Sequence, residues 1–159
     1  MAETRGRRGT DDAPLAGATF GEAVSRFFGR YATFSGRASR SEYWWVALLQ
    51  VLLVAVVYGV MVAVAASAYE AIGTTQSPVF VVAVFTPPAL LGLYALATLV
   101  PSAALTVRRL HDANYSGWLA LLALVPVVGL CLVVLLAMPS DGAGARFDAA
   151  SSSGRRGLT

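Results

Sequence analysis

Three long segments without a single charged residue constrain the fold of this chain more than any other feature. They cover residues 43–69, 71–107 and 113–140. Each exceeds the roughly 20 mostly apolar residues that a helix needs to cross the hydrocarbon core of a bilayer. An ionised side chain is costly at that depth, so the absence of charge is typical of membrane spans. The sequence therefore predicts an all-α, multi-pass membrane protein.

Composition supports this class. The chain is 57% hydrophobic and 13% charged, whereas about 25% of the residues in a soluble domain are charged. All 12 basic residues are arginines, and the net charge is +3. A basic chain can bind nucleic acid, but these arginines border the apolar segments, where they set membrane orientation. We therefore expect membrane lipid as a partner and expect no nucleic acid.

The apolar segments divide the chain into a membrane domain and two tails. We predict three transmembrane helices within a domain of residues 19–148, at about 43–69, 79–105 and 118–138. Residues 1–18 and 149–159 are polar and aperiodic. We predict that both tails are disordered, because they cannot bury enough apolar surface to fold.

Prolines interrupt two of the predicted spans. Pro87, Pro88 and Pro101 predict a kink or break in the second span, because proline lacks the N–H of a helix hydrogen bond. Pro126 and Gly129 interrupt the third span. Its length suits one kinked crossing, but two half-helices that enter and return also fit if protein covers the freed backbone.

An amphipathic helix is predicted before the first span. Its aromatic and aliphatic side chains recur on one helical face, at Phe20, Val24, Phe27, Phe28 and Tyr31. Thr19 with Glu22 fits a capping box at its start, and Ser39 with Glu42 fits a second box directly before the first span. Such a helix lies either in the membrane interface or against the protein's own spans.

The distribution of arginine predicts the orientation of the chain. Four arginines lie just before the first span, none lies in the loop after it, and Arg108 and Arg109 follow the second span. The positive-inside rule places the N-terminus and the loop at Arg108 in the cytoplasm. Three simple crossings would place the C-terminus outside, yet the tail carries further arginines at positions 146, 155 and 156. The side of the C-terminus therefore stays open.

Small residues form a stripe along the first span. They occur at every fourth position, at Ala55, Gly59, Ala63 and Ser67. A stripe of this kind allows another helix to approach closely. It predicts a helix-packing face, for which a second copy of the chain or another membrane protein is a candidate partner.

His111 and Asp112 are the residues that most resemble a catalytic pair, because general acid–base catalysis often uses a histidine oriented by a carboxylate. No motif supplies a nucleophile. The chain has one histidine and one cysteine, which are too few for a structural zinc site. We therefore predict no cofactor and no metal. An enzyme that uses His111 stays an alternative, as does a small transporter or channel subunit, although the ionisable residues lie only at span ends.

Three ordered motifs carry a resemblance to a known family. The first comprises Phe28, Tyr31, Phe34, Gly36, Arg37, Ala38, Arg40, Glu42, Tyr43 and Trp44. The second comprises residues 108–112 with Ser116, Gly117, Trp118, Pro126 and Gly129. The third comprises Gly142, Gly144, Arg146 and Phe147. Together they resemble the signatures of the DUF805 family of bacterial inner-membrane proteins.

The resemblance implies a small multi-pass protein of the bacterial inner membrane, and it implies no activity. It covers the chain from about Phe20 to Phe147. Ala145 and Asp148 stand where the family usually has asparagine and glycine. This departure predicts a weaker polar role for the corner formed by the third motif.

The first two motifs lie at span ends on one predicted side of the membrane. Charged groups at a low-dielectric boundary need partners. We therefore expect one interfacial polar cluster, formed by Arg37, Arg40, Glu42, Arg108, Arg109, His111 and Asp112. It would hold the helices in register, or bind an anionic lipid headgroup or a partner protein. The leading prediction is a non-enzymatic inner-membrane protein that acts through assembly or lipid contact at its cytoplasmic face.

Overall fold

The computed structural model describes residues 13–72 and 78–148, and all secondary structure in these two ranges is helical. The predicted all-α class is therefore confirmed for the described part of the chain. The elements in these ranges are α1 (Phe20–Gly29), α2 (Arg40–Ile72), α3 (Pro78–Asp112), a first 3₁₀ helix (Gly117–Leu124), α4 (Pro126–Ala137) and a second 3₁₀ helix (Gly142–Phe147). The chain divides into two compact units, one of residues 47–99 and one of residues 1–46 with 100–159.

Helix α1 begins at the predicted capping box. The Thr19 side chain accepts from the Glu22 backbone N–H, and the Glu22 carboxylate accepts from the Thr19 backbone N–H. The Thr19 hydroxyl also donates to the Glu22 carboxylate. The bonds from the Thr19 backbone N–H and the Thr19 hydroxyl lower the pKa of the Glu22 carboxyl below its ordinary value. Ala23 and Phe27 are buried, whereas Phe20 and Phe28 stay exposed. One face of the helix therefore packs on the protein, and a position in the membrane interface for its exposed rings stays a prediction.

The segment before α1 is ordered where the structure describes it. Leu15 donates its backbone N–H to the Glu42 carboxylate, and its carbonyl accepts from the Ser39 hydroxyl at 2.7 Å. The Trp45 indole N–H donates to the Ala18 carbonyl at 3.0 Å. Residues 13–18 belong to the tail that the sequence predicts to be disordered, and in the structure Leu15 and Ala18 make these bonds. Residues 1–12 and the tail at 149–159 lie outside the described residues.

Helix α2 starts where the second capping box predicts. The Glu42 backbone N–H donates to the Ser39 hydroxyl, and the Ser39 backbone N–H donates to the Glu42 carboxylate at 2.7 Å. Two orphan donors at the helix start are therefore satisfied reciprocally. The helix then runs without interruption to Ile72. Its small-residue stripe at 55, 59, 63 and 67 is exposed along its whole length.

Helix α3 is continuous through all three of its inner prolines, so the predicted break is absent. Prolines are tolerated in membrane helices because neighbouring groups satisfy the backbone that they leave free. The helix also continues past the predicted end of the second span, as far as Asp112. The arginine pair at 108–109 is therefore helical rather than part of a turn. The turn itself follows at Asn114, whose φ is +62°.

Helices α2 and α3 are long and apolar enough to cross a membrane, over Arg40–Glu70 and Phe80–Asp112. Only 6% and 0% of their most apolar 18-residue windows are buried. A core helix of a soluble protein would be mostly buried, so this exposed apolar surface suits contact with lipid. The predicted loop between the two helices, at 73–77, lies outside the described residues.

The third predicted span is not a continuous helix. The first 3₁₀ helix ends at Leu124, Val125 is extended with φ −111° and ψ 107°, and α4 follows. The apolar stretch of α4, Val127–Ala137, is shorter than a crossing needs. The count of three spans is therefore not confirmed, since the described residues contain two helices of sufficient length.

The two pieces of this segment lie against each other. A Cβ added at Gly129 would lie 3.4 Å from the Leu122 carbonyl oxygen, so glycine permits the close approach. Where the segment begins and ends, the Asp141 backbone N–H donates to the Asp112 carbonyl at 2.8 Å. Residues 113–140 thus form a helical hairpin whose two ends meet. Of the two alternatives for this segment, the structure has the half-helices that turn back.

Candidate functional site: a polar layer at the ends of the helices

The three motif segments meet in the unit formed by residues 1–46 and 100–159. The Gly36 backbone N–H donates to the Phe147 carbonyl, and the Ala38 backbone N–H donates to the Arg108 carbonyl, both at 3.1 Å. Gly144 lies so close to the His111 carbonyl oxygen that an added Cβ would be only 2.3 Å from it. We name this assembly the polar layer, and define it as residues 33–42, 108–118 and 140–148.

Arg109 and Asp112 form the most buried ion pair of the polar layer. Both side chains are fully buried, and Arg109 Nη1 lies 2.5 Å from Asp112 Oδ2. Arg109 also donates to the backbone carbonyls of Leu136 and Met138, at the end of α4. The Ser140 hydroxyl donates to the same Asp112 oxygen. The ion pair therefore links the end of α3 to the end of α4. Arg109 also satisfies carbonyl groups that have no partner at the end of α4.

Glu42 lies at the centre of a second group. Its Oε1 forms an ion pair with Arg26 Nε at 2.6 Å, and its Oε2 accepts from the backbone N–H groups of Ser39 and Leu15. The carboxylate is buried, at 2% exposure. It joins α1, the segment before α1 and the start of α2 through one side chain.

His111 is held by stacking and by a carbonyl. Its ring stacks on Phe147 with centroids 4.0 Å apart and an interplanar angle of 5°. Its Nδ1 lies 3.3 Å from the Gly36 carbonyl oxygen. Nδ1 carries the proton when the ring donates to Gly36, and no carboxylate in the described part of the chain is hydrogen-bonded to the ring. Because a base in general acid–base catalysis is often oriented by a carboxylate, this arrangement gives the catalytic reading no direct support.

Arg37 pairs with Asp148 across 111 positions of sequence. Its Nε and Nη2 donate to the two carboxylate oxygens at 3.0 and 2.9 Å, a bidentate geometry. Both side chains are largely buried, at 16% and 19% exposure. The expectation of a weak polar role at the third motif is therefore wrong. Asp148 supplies that role itself, although it stands where the family usually has glycine.

The two remaining members of the predicted cluster lie in contrasting environments. Arg40 is exposed at the start of α2. Arg108 is fully buried, and its Nε donates to the Ala104 carbonyl at 3.3 Å. Among the residues that the structure describes, ion pairs join Arg109 with Asp112, Glu42 with Arg26, and Arg37 with Asp148. A single cluster of the seven side chains stays a prediction.

A cavity of about 590 Å³ opens beside His111. Its walls are mainly apolar, and Ser116 lines it together with the histidine. A Cβ added at Gly117 would lie 3.1 Å from His111 Nε2, so this ring nitrogen points toward the start of the first 3₁₀ helix. Within residues 13–72 and 78–148, no group of three histidine, cysteine or acidic side chains could hold a metal ion.

Sequence reasoning missed three contributors to this site. Asp148 and Phe147 were assigned no partner, and Arg26 was not placed in the cluster. Each acts on a residue far from it in sequence, so no local spacing marks the contact. Arg26 could have been included from the sequence, because it lies on the polar face of the predicted amphipathic helix.

Comparison with known proteins agrees with this architecture. The chain is 35% identical to inner membrane protein YhaI of Escherichia coli strain K12 over 112 residues, which are 70% of this chain and 78% of that protein. It is 30% identical to inner membrane protein YhaH of the same strain over 107 residues, 66% of this chain and 74% of that protein. No solved structure matches the chain. Residues 31–149 match the family described as protein of unknown function DUF805. This membrane protein therefore belongs to the DUF805 family.

Proposed function

We propose that this chain is an inner-membrane protein with two crossings, formed by α2 and α3, and a re-entrant helical hairpin. The N-terminus, the polar layer and the C-terminal tail would then all face the cytoplasm. The hydrogen bond between Asp141 and Asp112 supports this topology, because it holds both ends of the hairpin together. Two crossings also remove the conflict over the C-terminal arginines, which the positive-inside rule favours on the cytoplasmic side.

The polar layer would act by contact with anionic phospholipid headgroups, without catalysis. The observation that carries this proposal is the arginine excess of the compact unit that contains the polar layer. In residues 13–46 and 100–148, seven arginines stand against five carboxylates. Arg40 and Arg146 are exposed, and Trp118 in the same unit is 80% exposed. Exposed arginine and tryptophan at span ends suit the headgroup region of a membrane with anionic lipid.

Tryptophan quenching tests this proposal. The protein would be reconstituted in mixtures of phosphatidylglycerol and phosphatidylcholine, with one lipid brominated at a time. Trp44, Trp45 and Trp118 are all partly exposed and report which lipid lies against the protein. We expect stronger quenching by brominated phosphatidylglycerol than its share of the mixture predicts.

Charge variants provide the matched control. Replacing Arg40 and Arg146 by glutamine should weaken the preference about fivefold for each arginine, because an arginine near an anionic surface contributes about 1 kcal/mol. Replacing both by lysine should preserve the preference. Equal quenching by the two lipids in the wild-type protein would overturn the proposal.

An enzyme that uses His111 is the second candidate, and the cavity beside that residue is the observation that favours it. The His111→Asn variant separates the two functions. Asparagine retains hydrogen-bonding groups but cannot titrate. A variant that inserts normally and complements a deletion supports the non-enzymatic proposal, whereas a stable, inserted variant that fails to complement supports an enzyme.

The hydroxyl groups within the predicted spans give little support to the hypothesis of a transporter. Ser67, Thr86 and Thr98 each donate to a backbone carbonyl of their own helix, three or four residues earlier. Their hydrogen-bonding capacity is therefore directed along the helix. Within the described spans the ionisable residues remain at the helix ends, where a proton relay through the membrane cannot use them.

A further inference from the structure

Arg108 is a buried cation without a carboxylate of its own. Its side chain is fully buried near the end of α3, and one hydrogen bond to the Ala104 carbonyl uses its Nε. Its two terminal nitrogens, Nη1 and Nη2, are buried and have no hydrogen-bond partner among the described residues. A guanidinium placed this way is costly, because burial removes the water from its two terminal nitrogens and no described residue replaces it.

Glu42 is the carboxylate that acts on Arg108, but its oxygens already have partners. Oε1 pairs with Arg26, and Oε2 accepts from two backbone N–H groups. The positive charges of Arg26 and Arg30 also act on Arg108. Arg108 therefore shares one committed carboxylate with other arginines instead of having its own ion-pair partner among the described residues.

We infer that the buried guanidinium of Arg108 binds a phosphate group, supplied either by an anionic phospholipid headgroup or by free inorganic phosphate. The two terminal nitrogens of a guanidinium form a planar fork that matches two phosphate oxygens. A bound phosphate would satisfy both nitrogens and offset the surrounding positive charge.

The location agrees with a headgroup phosphate. Arg108 lies one turn before the end of α3, where the apolar part of the helix gives way to the polar layer. Helix α1 packs beside it, since Ala23 and Phe27 share a buried cluster with Leu105, and Arg26 and Arg30 belong to that helix. Phe28 of α1 is 51% exposed. Partly exposed arginine side chains next to exposed aromatic rings are what a phospholipid at this depth would meet.

This inference rests on the proposed function and identifies the site where one headgroup is held. It predicts an unusual response to mutation. Arg108→Met removes a buried charge that lacks a protein partner, so the lipid-free variant should unfold at the same temperature as the wild-type protein or a higher one. Arg109→Met is the matched control, because Arg109 has a carboxylate and two carbonyl partners. That variant should unfold at a lower temperature with or without ligand.

The experiment measures thermal unfolding in a non-ionic detergent, with protein washed free of lipid and phosphate. Inorganic phosphate and a short-chain phosphatidylglycerol are added separately. A ligand that binds only the folded protein raises its unfolding temperature in proportion to the logarithm of its concentration. We expect such a rise for the wild-type protein. Arg108→Met should weaken binding about tenfold or more, because it removes charge-assisted hydrogen bonds. Arg108→Lys should retain part of the rise.

The two ligands distinguish the sources of the phosphate. A rise with phosphatidylglycerol alone identifies a lipid headgroup, and a rise with both identifies a site that also accepts free phosphate. The inference is overturned if neither ligand shifts the wild-type protein, or if Arg108→Met shifts as much as the wild type. If the lipid preference of the reconstituted protein survives that result, the proposed function stands and only this site is wrong. If phosphate binds through Arg108 while the lipid preference is absent, the site stands and the proposed function fails.

Discussion

The backbone N–H of Asp141 lies 2.8 Å from the carbonyl oxygen of Asp112, at opposite ends of an uncharged segment that is long enough to cross a membrane. A helix that crossed the bilayer would separate its two ends by about 30 Å. The hydrogen bond therefore supports the proposed topology, in which the segment is a helical hairpin that returns to the side where it starts. The buried pair of Arg109 and Asp112 reinforces this closure from the side of α3.

Gly144→Ala should destabilise the protein by about 1–3 kcal/mol, the usual cost of forcing an extra methyl group into a packed site. Its added Cβ would lie 2.3 Å from the His111 carbonyl oxygen, which is backbone and cannot rotate away. Gly142→Ala is the matched control, since an added Cβ there meets nothing within 4 Å. Thermal unfolding of both variants in detergent measures the difference. Equal unfolding temperatures would show that the second 3₁₀ helix does not pack on the end of α3.

The ion pair of Arg37 and Asp148 should show energetic coupling in a double-mutant cycle. Arg37→Gln, Asp148→Asn and the double variant should give a coupling of about 1 kcal/mol, at the upper end of the range for exposed pairs, because the contact is bidentate and largely buried. Denaturant unfolding measures the free energies of the wild type and the three variants. A cycle of Arg37 with Asp141 is the control and should give a coupling within about 0.5 kcal/mol of zero. Equal coupling in both cycles would contradict a specific pair.

Arg109→Ala should lower the free energy of unfolding by about 3–5 kcal/mol, because it leaves the buried Asp112 carboxylate without its cation. Arg40→Ala is the control at an exposed position and should stay within about 0.5 kcal/mol of the wild type. Replacing Arg109 and Asp112 together by apolar residues should cost less than the two single changes added, since neither charge is then left alone. Additive losses would show that the two side chains do not depend on each other.

Local features of the fold could be predicted from the sequence, and long-range ones could not. Both capping boxes depend on residues three positions apart, so Thr19 with Glu22 and Ser39 with Glu42 were identified from spacing alone. The segments of α2 and α3 followed from the absence of charge. The path of residues 113–140 stayed open, because Pro126 and Gly129 permit a kink and a turn equally.

The composition of the polar layer shows the same division. The arginines near the ends of the predicted spans identified most of the charged residues of the polar layer. The ion-pair partner of each charged residue, however, depends on tertiary structure. The carboxylate at position 148 lies 111 residues from Arg37, and no periodicity links the two. Glu42 was placed in the cluster, whereas its pairing with Arg26 required the packing of α1 on the spans.

Accessibility labelling on both sides of the membrane tests the proposed topology most directly. In a Cys131→Ser background, single cysteines would replace Gly21 in α1, Thr75 between α2 and α3, and Gly142 after the helical hairpin. Gly21 and Gly142 are exposed and an added Cβ meets nothing within 4 Å at either, so a reagent can reach both. In spheroplasts an impermeant maleimide should label the cysteine at 75, and should label those at 21 and 142 only after the membrane is permeabilised. Labelling at 142 in intact spheroplasts, with 21 protected, would show that residues 113–140 cross the membrane and would contradict the hairpin topology.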